Sequence, residues 1–282
     1  MTRLFPITTT PGIGDAAGRW LAGERWEQAT PRRASTVMLV RDGDRGTEVF
    51  LLRRVAQMAF APSTMVFPGG GVDARDGETD LPWSGPDPAA WAARLGCTTP
   101  EAQMYVAAAV REVFEECGVL LASTTPDGPL ADVSGPQWRG VRDGLVAREV
   151  SLAGVLREHG LWLRSDLVVA KAHWLTPVFE PRRFDTWFFA AVMPSHQVAD
   201  GDTTEADHAD WFVPDDLLGA YAAGSAVMLP PTVMCVEEVR DAASAVDFVA
   251  HSAELPLVMP DVVDTPDGPA MRISFERSGS GS

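Results

Sequence analysis

The sequence predicts an α/β fold, a mixed sheet covered by helices, on three observations. Short β-rich runs interleave with amphipathic helical stretches, the regular period of a doubly wound fold is missing, and one helix carries both start and stop signals. The 282 residues are 46% apolar and 22% charged, enough to bury a substantial core in one decorated domain. Residues 1–33 read as an N-terminal extension, 34–250 as the main domain and 251–282 as a Pro-rich, poorly periodic tail ending in Ser-Gly-Ser-Gly-Ser.

The first strands are residues 36–40 (TVMLV) and 47–52 (TEVFLL), joined by Arg41 to Gly46, whose Asp-Gly and Gly residues suit a hairpin. A third run, Met65-Val66-Phe67, enters Pro68-Gly69-Gly70-Gly71, where glycine lets backbone lie close against a ligand or another segment. Residues of about 74–98, rich in Asp, Gly, Pro and Ala, read as a surface insertion in which Asp87-Pro88 caps a short helix through Trp91.

The strongest helix starts near Thr98 or Thr99, because Thr98 and Glu101 form a capping-box pattern and Pro100 suits a first turn; Gly118 ends it. Val106, Val110, Val113, Phe114 and Cys117 recur on it at spacings of three and four, one apolar stripe that must pack on the sheet, and Glu112, Glu115 and Glu116 lie off that stripe. Residues of about 135–160, with Ser151 as a cap and Gly160 as a stop, read as a small helical lobe. Strand-like runs return at 167–175 and 186–193, and helices at 214–221 and 232–249.

The formal charge of −16, from 23 basic and 39 acidic residues, repels a phosphate backbone, so no nucleic-acid partner is expected. Cys97, Cys117 and Cys235 are odd in number and set among apolar residues, which suits reduced thiols. No apolar stretch is long enough to span a bilayer, and no basic segment followed by an apolar run opens the chain. A soluble, cytoplasmic protein with no membrane partner is expected, and a homodimer is left open. His173, His196 and His208 lack ligand spacing, so zinc is not expected.

The chemistry concentrates on the long helix. Glu112, Glu115 and Glu116 share a face, and three carboxylates so close repel one another unless divalent cations lie between them; Mg²⁺ prefers such oxygen ligands. Arg111, four residues before Glu115, is placed to hold that carboxylate by a forked hydrogen bond. A solvated acidic helix face is the competing reading, and the glycine loop tips the balance against it.

Phe67-Pro68-Gly69-Gly70 and then Arg111-Glu112-Val113-Phe114-Glu115-Glu116-Cys117-Gly118-Val119 resemble the two halves of the Nudix box, GX5EX7REUXEEXGU. The second half matches at every specified position. The first is separated from Arg111 by about 40 residues, and Asp76, Glu78 and Glu101 are candidates for its glutamate. The split box, the run Trp174 to Pro177, the run Pro181 to Phe189, Glu205 to Trp211 and Pro230-Pro231-Thr232 are similar to a subgroup of long Nudix proteins related to a peroxisomal coenzyme A diphosphatase.

That resemblance, spanning roughly residues 34–250, implies a Nudix-type α/β/α sandwich. It also implies hydrolysis of a diphosphate bond in a nucleotide conjugate, with coenzyme A or acyl-coenzyme A favoured over NADH or ADP-ribose. It further implies Mg²⁺ or Mn²⁺ on Glu112, Glu115, Glu116 and the Gly69 carbonyl, with Arg111 as orienter and Glu115, Glu116 or Glu205 as catalytic acids. Arg53, Arg54, Gly70 and Arg183 are candidate substrate contacts, and Arg182 reads like Arg183. Trp174, Trp187, Phe188 and Phe189 read as core. A non-catalytic nucleotide sensor and an isomerase on the same fold are the competing readings. The intact Arg-Glu-x-x-Glu-Glu favours the hydrolase, since a sensor has no need of three clustered carboxylates.

Overall fold

The computed structural model describes residues 2–7, 13–56, 61–204, 206–251 and 254–274. Its centre is an eight-stranded mixed sheet. The strand Arg32–Gly43 runs through the middle, parallel to Phe184–Val192 and antiparallel to Gly46–Arg54. Ala206–Phe212 lies outside Gly46–Arg54, and Val169–Leu175 followed by Leu257–Val258 lies outside Phe184–Val192. The predicted hairpin forms between the two central strands, closing at Gly43 and Gly46, and Gly46 takes the left-handed φ of +112° that glycine tolerates.

Both faces of this sheet are covered, which is why its strands are continuously apolar rather than alternating. Val37, Leu39, Phe50 and Phe189 face one core with the long helix, whereas Met38, Val40, Leu51 and Phe188 face a second core with the C-terminal helices. The fold is therefore the α/β/α sandwich expected.

The long helix spans Thr99–Cys117. Thr98 accepts from the Glu101 N–H while the Glu101 carboxylate accepts from the Thr98 N–H, and Gly118 ends the helix with φ 71°. Its stripe of Val106, Val110, Val113, Phe114 and Cys117 is fully buried, and each such side chain contributes on the order of 1.5–3 kcal/mol by leaving water. The helical lobe resolves into Gln137–Val146 and Leu152–Glu158, with Ser151 capping the second helix. The stretch predicted as one helix over 232–249 is two, Pro230–Asp241 and Ala245–Ala250, because Ser244 caps a new start.

Two expectations need correction. The residues read as a poorly periodic tail include regular strands: Asp261–Thr265 and Gly268–Ser274 form a hairpin that takes up the N-terminal strand Thr2–Pro6 as a three-stranded sheet. Short strands broken by Pro and Gly gave no clear period. The terminal Ser-Gly-Ser-Gly-Ser lies outside the described residues. Nor is the 74–98 segment merely superficial. Its helix Pro88–Leu95 buries Trp91 and Leu95, and the Trp91 ring meets Phe189 edge to face at 5.9 Å.

Candidate functional site

Three elements converge on one spot. The strand Gly69–Gly71 pairs with the start of the central strand, Thr36 opposite Gly69 and Ser35 opposite Gly70. The long helix packs beside it, close enough that a Cβ on Gly70 would lie 2.7 Å from the Glu112 carboxylate, and one on Gly69 would strike the Ser35 carbonyl at 2.5 Å. At Gly69, where the obstacle is backbone, only glycine permits this approach. A single turn at Ala74–Gly77, capped by Asp73, completes the wall.

At the centre lies Arg111, almost fully buried. Its Nε and Nη2 donate to the two oxygens of Asp76 at 2.9 and 3.0 Å. Nη1 donates to Glu112 at 2.7 Å and to Glu115 at 3.1 Å, and Nη2 also donates to the Gly71 carbonyl at 2.9 Å. Burial alone would weaken this charge, but Asp76, Glu112 and Glu115 more than offset it, and the guanidinium is held more firmly protonated than usual. Burial pushes the Glu112 and Glu115 carboxyls up, with Arg111 opposing the rise. Glu116 accepts from the Gly69 N–H at 2.8 Å.

The expected metal set, Glu112, Glu115, Glu116 and the Gly69 carbonyl, is thus gathered on one wall but not drawn to one point. Among the described residues, no three His, Cys, Asp or Glu side chains are arranged to hold a metal ion. The reason is local: Arg111 takes an oxygen each from Glu112 and Glu115, and the Gly69 N–H turns Glu116 toward the strand.

The carboxylate wall opens into a cleft of about 420 Å³ that is lined by the box residues at one side and by Trp174, Phe188, Leu229, Pro230 and Glu180 at another. A family profile, the NUDT19 Nudix domain, matches residues 82–239, more than half of the chain. The chain belongs to the NUDT19 Nudix domain family.

The putative nudix hydrolase 7 of Caenorhabditis elegans is 28% identical, covering 72% of this chain and 58% of that protein. The human acyl-coenzyme A diphosphatase NUDT19 is also 28% identical, covering 72% and 63% respectively. The Xenopus laevis protein of that name is 24% identical, covering 65% and 57%. The chain therefore spans less than two thirds of these relatives' lengths. A crystal structure of a NUDIX hydrolase from Alicyclobacillus acidocaldarius matches with a TM-score of 0.68 at 24% identity, covering 82% of this chain and 100% of that one, and so shares the fold.

Within this Nudix box, Asp76 follows Gly70 at the GX5E spacing with aspartate in place of glutamate, and it is the acid that reaches Arg111. Glu101 instead caps the helix and pairs with Arg33, and Glu78 lies 3.7 Å from Arg157. The interruption of the box therefore starts after Asp76, later than the 74–98 segment suggests.

The substrate candidates divide. Gly70 and Arg54 line the cleft, and Arg54 Nε is buried with no hydrogen-bond partner among the described residues. Arg53, its neighbour on the strand, points to the other side and pairs with Asp207 at 2.6 Å in solvent, so it is not a cleft residue. Arg183 is corrected as well: buried, it donates to the Thr176 carbonyl at 3.0 Å and the Ala29 carbonyl at 3.3 Å, fastening the 176–183 loop instead of facing substrate. Glu205 lies outside the described residues.

Sequence reasoning missed the basic rim. Arg75 lines the cleft and holds the Asp73 carboxyl down at about 2. It also donates to the carbonyls of Arg148 and Val150, at 2.9 and 3.1 Å. Arg148 thereby reaches the cleft from the helical lobe, with φ 59°. No local pattern marks these residues, because the contact joins segments more than 70 positions apart. No helix among the described residues is long and apolar enough to cross a membrane.

Proposed function

We propose that the chain hydrolyses a diphosphate bond in a nucleoside diphosphate conjugate, with coenzyme A or acyl-coenzyme A favoured and NADH or ADP-ribose in range. The observation that carries this reading is the box wall: Asp76, Glu112 and Glu115 gathered about Arg111, with Glu116 held beside them by the Gly69 N–H, at the side of a cleft large enough for part of a nucleotide. The box wall itself, with Arg111 already engaged by its carboxylates, would repel a diphosphate unless divalent cations reversed the local sign.

The donor set fits Mg²⁺ or Mn²⁺, being all oxygen and strongly acidic, and Glu112, Glu115, Glu116 and the Gly69 carbonyl would hold the ions. When bound, such ions supply Lewis-acid neutralisation of charge on the phosphoryl group. The chain's own residues do the rest. Arg111, tied to Asp76, keeps Glu112 and Glu115 in fixed rotamers, a role that typically costs 10- to 100-fold when lost. The buried Arg54 Nε is a donor suited to a phosphate oxygen. Glu115, Glu116 or Glu205 takes the proton from the attacking water.

The test is a screen of nucleotide conjugates with Mg²⁺ and Mn²⁺, reading products by mass spectrometry. Hydrolysis at the diphosphate supports the reading; micromolar binding without hydrolysis overturns it in favour of a sensor.

A further inference from the structure

Glu180 is a cleft residue whose chemistry the diphosphate reaction does not use. It sits on the loop between the strands Val169–Leu175 and Phe184–Val192, a loop that Arg183 fastens from behind through the Thr176 carbonyl. The side chain lines the same cleft as the box, yet the residue is only 5% exposed. Its Oε1 is fully buried and has no hydrogen-bond partner among the described residues. Burial alone pushes its carboxyl up to about 7, with no charged neighbour contributing. The Arg111 wall and the Arg54 guanidinium are therefore not what Glu180 answers to.

A buried carboxyl oxygen with no partner is costly to keep, and leucine or methionine would occupy the same place at less cost. Its retention in a cleft wall is accounted for if a ligand group supplies the missing hydrogen bond. That group is not a phosphate or carboxylate, which an ionised Glu180 would repel. An N–H donor satisfies the carboxyl in either state, since both the acid and its anion keep an accepting oxygen.

We propose that Glu180 is a specificity-determining residue that accepts a hydrogen bond from an uncharged N–H group in the part of the substrate remote from the diphosphate. Two sources carry this chemistry, the exocyclic amine of a purine base and an amide of a pantetheine-like arm. The inference rests on the nucleotide-conjugate reading above.

The test compares wild type with Glu180→Leu and Glu180→Gln. Binding of four probes is measured by titration calorimetry with Ca²⁺ in place of Mg²⁺ or Mn²⁺: ADP-ribose, its inosine counterpart, coenzyme A and 4′-phosphopantetheine. KM and kcat are then measured with Mn²⁺ for those hydrolysed. Loss of a hydrogen bond to a carboxylate should weaken binding about tenfold to a hundredfold in Glu180→Leu, and less in Glu180→Gln, which keeps an accepting oxygen. The loss should appear in KM, with kcat within about threefold of wild type because Glu180 does not meet the reacting bond.

If the base is the donor, wild type prefers ADP-ribose to its inosine counterpart and Glu180→Leu does not. If the amide is the donor, 4′-phosphopantetheine loses affinity and the ribose pair does not. Free Glu180→Leu should melt at a higher temperature than free wild type, a result that a purely structural carboxylate would reverse. Unchanged affinity for every probe in the folded variants, or wild type binding none of them, overturns the proposal. Failure of wild type to hydrolyse any conjugate while the Glu180 effect on binding persists overturns the enzymatic reading instead.

Discussion

Asp76 and Arg111 face each other through two parallel hydrogen bonds of 2.9 and 3.0 Å, closing the two halves of a box that lie 35 positions apart in the chain. Asp76 is the more deeply buried partner, 2% exposed against 8% for Arg111. Its loss leaves Arg111 with Glu112, Glu115 and the Gly71 carbonyl. Asp76→Asn should therefore lower kcat by roughly 10- to 100-fold through misplaced carboxylates, and destabilise the fold by about 3–5 kcal/mol as a broken buried pair. Urea unfolding beside steady-state kinetics checks both; wild-type turnover in a destabilised variant would make the pair a packing device only.

Ion binding and proton transfer separate by metal dependence. Glu115→Gln should weaken Mn²⁺ binding sharply in calorimetry, and unchanged affinity would move the ion site elsewhere. Glu116→Gln, which also loosens the hold of Gly69 on the helix, should drop kcat on the order of 10² and recover partly at high Mn²⁺. Glu205→Gln, if that residue is the base, should lower kcat roughly 10²- to 10⁴-fold without rescue by Mn²⁺. Near wild-type turnover across the pH range would make Glu205 a bystander.

The segment that interrupts the box is structural as well as decorative. Trp91, 2% exposed, fills the core against Phe189, so Trp91→Ala should cost about 3–5 kcal/mol of stability. Replacing the segment by a short linker should unfold the domain rather than merely change substrate preference. A folded, active deletion would show that the core closes without it.

Glu180 gives stability a pH dependence of defined sign. Its folded carboxyl titrates at about 7 against an ordinary 4.5, so the folded state holds the proton more tightly, and stability is lost as pH rises from the lower value through the higher. Glu180→Gln should unfold with nearly the wild-type free energy at low pH and be more stable by on the order of 2–3 kcal/mol above neutrality. Denaturant titrations in acid and above neutrality read the difference; the same offset at both pH values would contradict the burial of an ionisable group there.

What the sequence by itself determined is the local grammar. Thr98, Pro100, Glu101 and Gly118 set both ends of the long helix, its stripe of Val106 to Cys117 set the buried face, and the Asp-Gly hairpin set the two central strands. Each of these is decided within a few residues, by capping, periodicity and turn geometry. The candidate acids were legible for the same reason, being neighbours on one helix.

The tertiary structure decided the rest. It chose Asp76 over Glu78 and Glu101, sent Arg53 to Asp207 and Arg183 to backbone carbonyls, and brought Arg148 and Glu180 to the cleft. It also paired residues 2–6 with 270–274. These choices depend on which distant segments the cores bring together. A buried charge takes whatever partner packing delivers, and no spacing in the chain records that partner in advance.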